Sequence, residues 1–131
     1  MQNYQRVGVV IIKDNKVLLI HRIKKGHEYY CFPGGHQDPG ETPEQTAIRE
    51  LKEEASIDIV LDKVLCELDE PDGRGRGIYY LCTEFTGTVK LGGEELERNC
   101  PKNSYRFEWI DLEKLSTLTL YPKVVVQSIT N

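Results

Sequence analysis

The stretch GHQDPGETPEQTAIRELKEEASI, Gly35 to Ile57, decides how this chain folds. Asp38-Pro39-Gly40-Glu41 fits a type II turn, with proline at the second position and glycine supplying positive φ at the third. Thr42-Pro43-Glu44-Gln45 follows with an N-cap threonine, proline at the first helical position and glutamine at the third. That capping box places a helix start sharply. Ala47, Ile48, Leu51 and Ala55 recur at helical spacing, so a helix is predicted from Pro43 to Ala55 with that stripe on the core.

The polar side of this helix carries the chemistry. Asp38, Glu41, Glu44, Glu50, Glu53 and Glu54 lie between the turn and the helix end, with Arg49 and Lys52 among them. At about 100° per residue, Glu50, Glu53 and Glu54 fall within a sector of about 100° beside the apolar stripe, which predicts that the three carboxylates converge. Glu50 and Glu54 are a like-charged i,i+4 pair, costing on the order of a few tenths of a kcal/mol, near the helix end where the dipole also disfavours anions. A helix built only for stability would avoid this. A divalent cation reverses both penalties, and oxygen ligands without histidine or cysteine select Mg2+ or Mn2+ over zinc. The competing reading of the helix alone is a solvated acidic face, partly neutralised by Arg49 and Lys52.

Outward from this core, Val7 to Ile12 and Val17 to Ile20 are apolar runs joined by Lys13-Asp14-Asn15-Lys16, a β-hairpin with buried strands. Gly26 to Tyr30 reads as a loop, and Pro33-Gly34-Gly35 as an irregular segment where something needs bare backbone. Ile57 to Leu68 is extended with an interruption at Asp62, Asp72 to Gly77 is a glycine-rich turn, and Ile78 to Phe85 is a strand buried on both faces. Val89 to Pro101 is polar and glycine-broken, Tyr105 to Ile110 is a last strand, and Leu112 to Leu115 and Pro122 to Ile129 are short helices. The order implies an α/β chain with a mixed, covered sheet. Its 131 residues show no repeat or linker and imply one domain, residues 1–131.

Composition narrows the function classes. Hydrophobic residues at 39% and charged residues at 29% are near globular averages. No apolar run approaches the roughly 20 residues that span a bilayer, and MQNYQRVG lacks a signal pattern, so no membrane association and a cytoplasmic location are expected. A net charge of -4 and a pI near 5.4 argue against long nucleic acids as partners. A homodimer stays open. Cys31, Cys66, Cys82 and Cys100 have no CxxC spacing and read as reduced, mostly packing thiols, though His21, His27 and His36 leave a Cys/His pair formally available.

The full spaced pattern Gly35-x5-Glu41-x7-Arg49-Glu50-Leu51-x-Glu53-Glu54-x-Ser56-Ile57 resembles the Nudix box. It departs from that box once, with Ser56 where the family has glycine. A serine that keeps glycine's positive φ costs on the order of 1 kcal/mol, which bears on the helix cap and not on the metal site. The resemblance implies a Nudix-type α/β/α sandwich with a mixed β-sheet. It implies metal binding through Glu50 and Glu54, with Glu53 close by and the Gly35 carbonyl as a further ligand. Arg49 would hold Glu41 and orient the loop, and the general base would be one of the box carboxylates, with Glu50 and Glu53 as candidates. Some family members draw a ligand from a later loop; Glu94, Glu95 and Glu97 are candidates here, Glu95 first among them. Arg22 resembles the family's phosphate-contacting basic residue, an exposed strand-end arginine being the plain alternative, and Gly34 and Gly35 would let a phosphate approach the backbone. Of Tyr29, Tyr30, Phe32, Tyr79, Tyr80, Phe107 and Trp109, one or two could stack on a base, although each singly reads as core. The implied reaction is hydrolysis of the pyrophosphate bond of a nucleoside diphosphate derivative by water attack at phosphorus. Nucleoside triphosphates lead as substrates; nucleotide sugars, ADP-ribose and dinucleoside polyphosphates follow. A silent Nudix-fold module that senses a nucleotide is the rival, and it would have lost box carboxylates that this chain keeps.

Overall fold

β1 (Arg6–Lys13) and β2 (Lys16–Lys24) form the expected hairpin, turned by Asp14 and Asn15 at φ 53° and 63°. Two central residues at positive φ give the turn whose twist matches that of paired strands. The structure, a computed structural model, describes residues 4–69, 75–93, 99–100 and 103–130. The hairpin strands pair only at Ile12↔Val17 and Lys13↔Lys16, and beyond that they part into two halves of a mixed sheet. One half runs β5 (Asp58–Asp69), β6 (Arg76–Thr86), β1, β4 (Gly34–Gly35), with β6 parallel to β1 and the other pairs antiparallel. The other runs β7 (Asn103–Asp111), β2, β3 (His27–Cys31), β8 (Leu120–Tyr121), with only β3 and β8 parallel.

Strand β1 is buried on both faces, and its alternation assigns the layers. Val7, Val9 and Ile11 pack with Ala47, Leu51 and Ala55 of helix α1 (Pro43–Ala55). Val10 joins Val17, Leu19, Phe32 and Leu115, the last from the 3-10 helix Leu112–Thr117, together with Val125 of helix α2 (Lys123–Thr130). The fold is therefore a mixed sheet with a helix on each face, the α/β/α arrangement expected.

Several local readings change: β8 (Leu120–Tyr121) follows β7, so Tyr105 to Ile110 is not the last strand, and Thr83 and Glu84 leave β6 exposed at its end and not buried on both faces. Gly26 to Tyr30 is not a loop: Lys25 and Gly26, at φ 51° and 78°, turn β2 into β3, which pairs from Ile20↔Cys31 to Lys24↔His27. Gly34 and Gly35 are not irregular but a two-residue strand opposite Gly8 and Val7. Ile48 does not join the core stripe; it is 43% exposed, while Thr46 and Glu54 are buried. Helix α1 is rolled so that its buried arc runs from Thr46 through Glu54 to Ala55. Asp62 does interrupt β5, in a stretch where the register against β6 shifts between Leu61 and Lys63. Asp72 to Arg74, Glu94 to Glu97 and Pro101 lie outside the described residues.

Candidate active site

The turn and helix start form as their sequence dictates. Glu41 N donates to Asp38 O across the turn, and Gly40 has φ +84°. Thr42 Oγ1 accepts from Gln45 N at 3.1 Å, and Thr42 N donates to Gln45 Oε1 at 2.9 Å. This fixed start brings Glu41 to Arg49. Arg49 Nε donates to Glu41 Oε2 at 2.6 Å and Nη2 to Oε1 at 3.1 Å, a two-pronged pair. Glu41 also accepts from Thr46 Oγ1 at 2.8 Å and from Asp38 N at 3.0 Å. The Arg49 hydrogen bond, reinforced by these donors, lowers the Glu41 pKa from 4.5 to about 2. Glu41 in turn pushes the Arg49 pKa up. Arg49 further reaches the His36 carbonyl at 3.2 Å and Asp38 at 3.3 Å, so loop and helix are tied through one guanidinium.

The glycines beside it are required by close approach. A Cβ on Gly34, which has φ +147°, would lie 2.0 Å from the Val7 carbonyl oxygen. A Cβ on Gly35 would lie 2.3 Å from the carboxyl carbon of Glu50, so Glu50 rests directly on the Gly35 backbone. Gly34 N donates to Glu54 Oε1 at 3.2 Å. Glu54 is only 4% exposed, and it is one of the neighbours that keep the Arg6 pKa raised against the pull of burial.

The expected convergence of three carboxylates on one spot is divided in the structure. Glu50 and Glu53 both meet Arg49 Nη1, at 3.1 and 3.3 Å, whereas Glu54 turns to the Gly34 amide. The cause is the roll of α1, which buries Glu54 and leaves the Glu53 side chain 57% exposed. Among the described residues no three metal-ligating side chains stand grouped to hold an ion by themselves. The donor chemistry nevertheless suits a hard cation, because two carboxylates flank a glycine backbone. Glu95 lies outside the described residues.

Past the helix, Ser56 takes the glycine conformation, φ 63° and ψ 29°, and its N–H donates to the Leu51 and Lys52 carbonyls. Ser56 Oγ donates to Lys90 O at 3.0 Å, and Lys90 N and Gly92 N donate to Ala55 O and Glu54 O, each at 2.9 Å. The segment leading to Glu95 is thereby sewn onto the end of α1.

Arg22 lies within β2 and not at its end. Its guanidinium carbon sits 3.8 Å over the Tyr105 ring, and its Nη2 donates to Asn103 Oδ1 at 2.9 Å. On the opposite face of β2, His21 is buried with Nε2 2.6 Å from Glu28 and Nδ1 2.6 Å from Glu108, stacked on Tyr30. Sequence reading missed this network, and its partner Glu108 is visible only once β7 is registered on β2. The thiols are free, as expected, and three of the four are at least partly buried: Cys100 is exposed, while burial pushes the Cys31, Cys66 and Cys82 pKa values up, away from nucleophilic chemistry.

The NUDIX domain pattern matches residues 3–127. The chain belongs to the Nudix family. An ADP-ribose pyrophosphatase of Methanocaldococcus jannaschii is 34% identical over 116 residues, covering 79% of this chain and 68% of that protein. An 8-oxo-dGTP diphosphatase of Proteus vulgaris is 38% identical over 82 residues, covering 60% of this chain and 73% of that protein. A MutT NUDIX hydrolase from Burkholderia pseudomallei shares the fold with a TM-score of 0.78 at 24% identity, over 99% of this chain and 100% of that one. The protein is accordingly a Nudix pyrophosphohydrolase, and no helix among its described residues is long and apolar enough to cross a membrane.

Proposed function

We propose that this Nudix enzyme hydrolyses the pyrophosphate bond of a small nucleoside diphosphate derivative, with nucleoside triphosphates the leading substrates. The observation that carries this reading is the seating of Glu50 on the Gly35 backbone with buried Glu54 on the adjacent Gly34 amide. Oxygen donors gathered against bare backbone suit a diphosphate and its counter-ion. Glu50 and Glu54, with the Gly35 carbonyl, would hold Mg2+ or Mn2+, Glu53 standing beside them and Glu95 a further ligand. Bound there, the ion would offset charge on the diphosphate oxygens. Glu50 or Glu53 would take the proton of the attacking water, Arg22 would hold phosphate oxygens, and Arg49 would keep Glu41 and the loop in place. A nucleoside monophosphate leaves as one product. The named relatives act on ADP-ribose and 8-oxo-dGTP, which share only a nucleoside diphosphate core, so both belong in the test.

The deciding experiment is a panel of nucleoside triphosphates (oxidised and not), ADP-ribose and nucleotide sugars, scored for monophosphate release with Mg2+ and with EDTA. Release that stops in EDTA, and that falls by roughly 10² to 10⁴ in Glu50→Gln, is expected. Full turnover in EDTA would end the metal-dependent reading. Binding of these compounds without any release would instead assign the chain to the sensing modules.

A further inference from the structure

Arg22 is held in a way that no structural need of the fold explains. Cross-strand pairing places it between Tyr29 of β3 and Tyr105 of β7. Leu18, four residues earlier on the same face of β2, shares a core cluster with Ala47, Leu51 and Ala55 of α1, so Arg22 projects from that face, while His21 projects from the other. Its guanidinium lies over the Tyr105 ring at 3.8 Å and 5.8 Å from the Tyr29 centroid, and Asn103 takes one Nη2 donor. Nε is buried and has no hydrogen-bond partner among the described residues. A buried guanidinium edge without an acceptor is unfavourable, and folds that use arginine structurally supply one, as Glu41 does for Nε of Arg49. The neighbouring carboxylates Glu28 and Glu108 cannot serve, because they are drawn to His21 on the reverse face.

We propose that Tyr105 and Asn103 are positioning residues that hold the Arg22 guanidinium flat and rotationally fixed, with its Nε edge kept for a phosphoryl oxygen of the nucleotide. The proposal rests on the nucleotide diphosphatase reading above. A planar fork with one face stacked and one terminal nitrogen tethered loses little freedom on meeting a phosphate, and Nε with the second hydrogen of the tethered Nη2 forms an edge that meets two oxygens at once. The ring face of Tyr105, and not its hydroxyl, performs the holding.

The test is a double-mutant cycle on the full chain, read as separate KM and kcat on whichever nucleotide the panel shows to be cleaved. Tyr105→Leu is expected to raise KM by about tenfold with kcat within about twofold, and Tyr105→Phe to restore wild-type KM. Arg22→Ala with Tyr105→Leu should be no worse than Arg22→Ala alone. Additive losses, or a phenylalanine variant as impaired as the leucine one, would overturn the proposal. Should Tyr105→Leu not fold, Asn103→Ala enters the same cycle with the same expectation. Independently of turnover, the thermal shift given by inorganic pyrophosphate with Mg2+ should shrink equally in Arg22→Ala and in the positioning variant. An unchanged shift in both sinks this proposal, even if hydrolysis is confirmed. Absent hydrolysis with a diminished shift sinks the enzymatic reading and keeps the phosphate site.

Discussion

Arg49 on α1 reaches Asp38, Glu41, Glu50, Glu53 and the His36 carbonyl, whereas Arg22 on β2 meets one asparagine and two tyrosine faces. The first guanidinium is saturated by charge and holds a loop to a helix. The second is cushioned by rings and keeps a buried donor unspent. A saturated arginine is architecture, because any ligand oxygen would have to displace a carboxylate already bonded. An arginine whose buried Nε lacks an acceptor among the described residues is poised for one that arrives later. Part of the same contrast divides the glutamates: Glu41 engages Arg49 through both oxygens, while Glu50 meets Arg49 through one and lies against the Gly35 backbone, where the proposed cation would be held.

The harshest test of that contrast is Gly35→Val. Its Cβ would fall 2.3 Å from the Glu50 carboxyl carbon, so Glu50 must swing away from the backbone. Turnover is expected to drop by at least about 10², with the Arg49–Glu41 pair kept, because the atoms nearest the new Cβ all belong to Glu50. Measured kcat, beside the acid-unfolding profile of the same variant, separates the two regions. Wild-type turnover in a folded Gly35→Val protein would reduce the Gly34–Gly35 strand to a turn device.

A second, milder test uses acid. With its pKa lowered from 4.5 to about 2, Glu41 adds stability that is complete above pH 4.5 and is lost as pH falls through that window. Glu41→Gln should therefore be less stable at neutral pH, and its stability should fall less steeply between about pH 4.5 and 2. Some slope remains, since Arg106 and His21 hold Glu108 below its ordinary value despite its burial. Arg22→Met should leave the slope unchanged, as its partners are an asparagine and tyrosines. Urea unfolding at several pH values measures all three proteins, and parallel acid slopes in wild type and Glu41→Gln would remove the Arg49 pair from the stability of the loop.

Legibility in the sequence follows the same divide. The Arg49 region could be read because its partners are local: the capping box fixes the helix start, and Glu41, Glu50 and Glu53 stand eight, one and four residues from Arg49. The Arg22 and His21 regions could not, since Tyr105, Asn103 and Glu108 lie more than eighty residues away and meet β2 only through strand register. Strand β3 did carry a signal, the Lys25-Gly26 turn between β2 and His27, but its polar, half-exposed residues resemble a loop when alternation is sought in apolar residues alone. The roll of α1 was beyond periodicity. An apolar count puts Ile48 inside and Glu54 outside, and the fold does the reverse because the Gly34 amide and the glycine strand need the carboxylate.

The smallest effect expected lies at the end of α1, where Ser56 stands in place of the family's glycine. Holding serine at φ 63° costs on the order of 1 kcal/mol, and the Oγ bond to the Lys90 carbonyl returns about as much. Ser56→Gly removes both, so its stability should lie within about 0.5 kcal/mol of wild type. Ser56→Ala keeps the strained φ and loses the bond, and should fall about 1 kcal/mol below both. Urea unfolding of the three proteins reads this order, and an alanine variant as stable as wild type would mean that the Lys90 contact contributes nothing. Turnover adds a second reading. Lys90 N and Gly92 N bond the helix carbonyls whichever residue occupies position 56, so the segment running toward Glu95 keeps two of its three ties. Unchanged kcat in Ser56→Gly is therefore expected. A fall in kcat without a fall in stability would show that the serine hydroxyl sets where that segment stands, and would make the one departure from the box a functional feature.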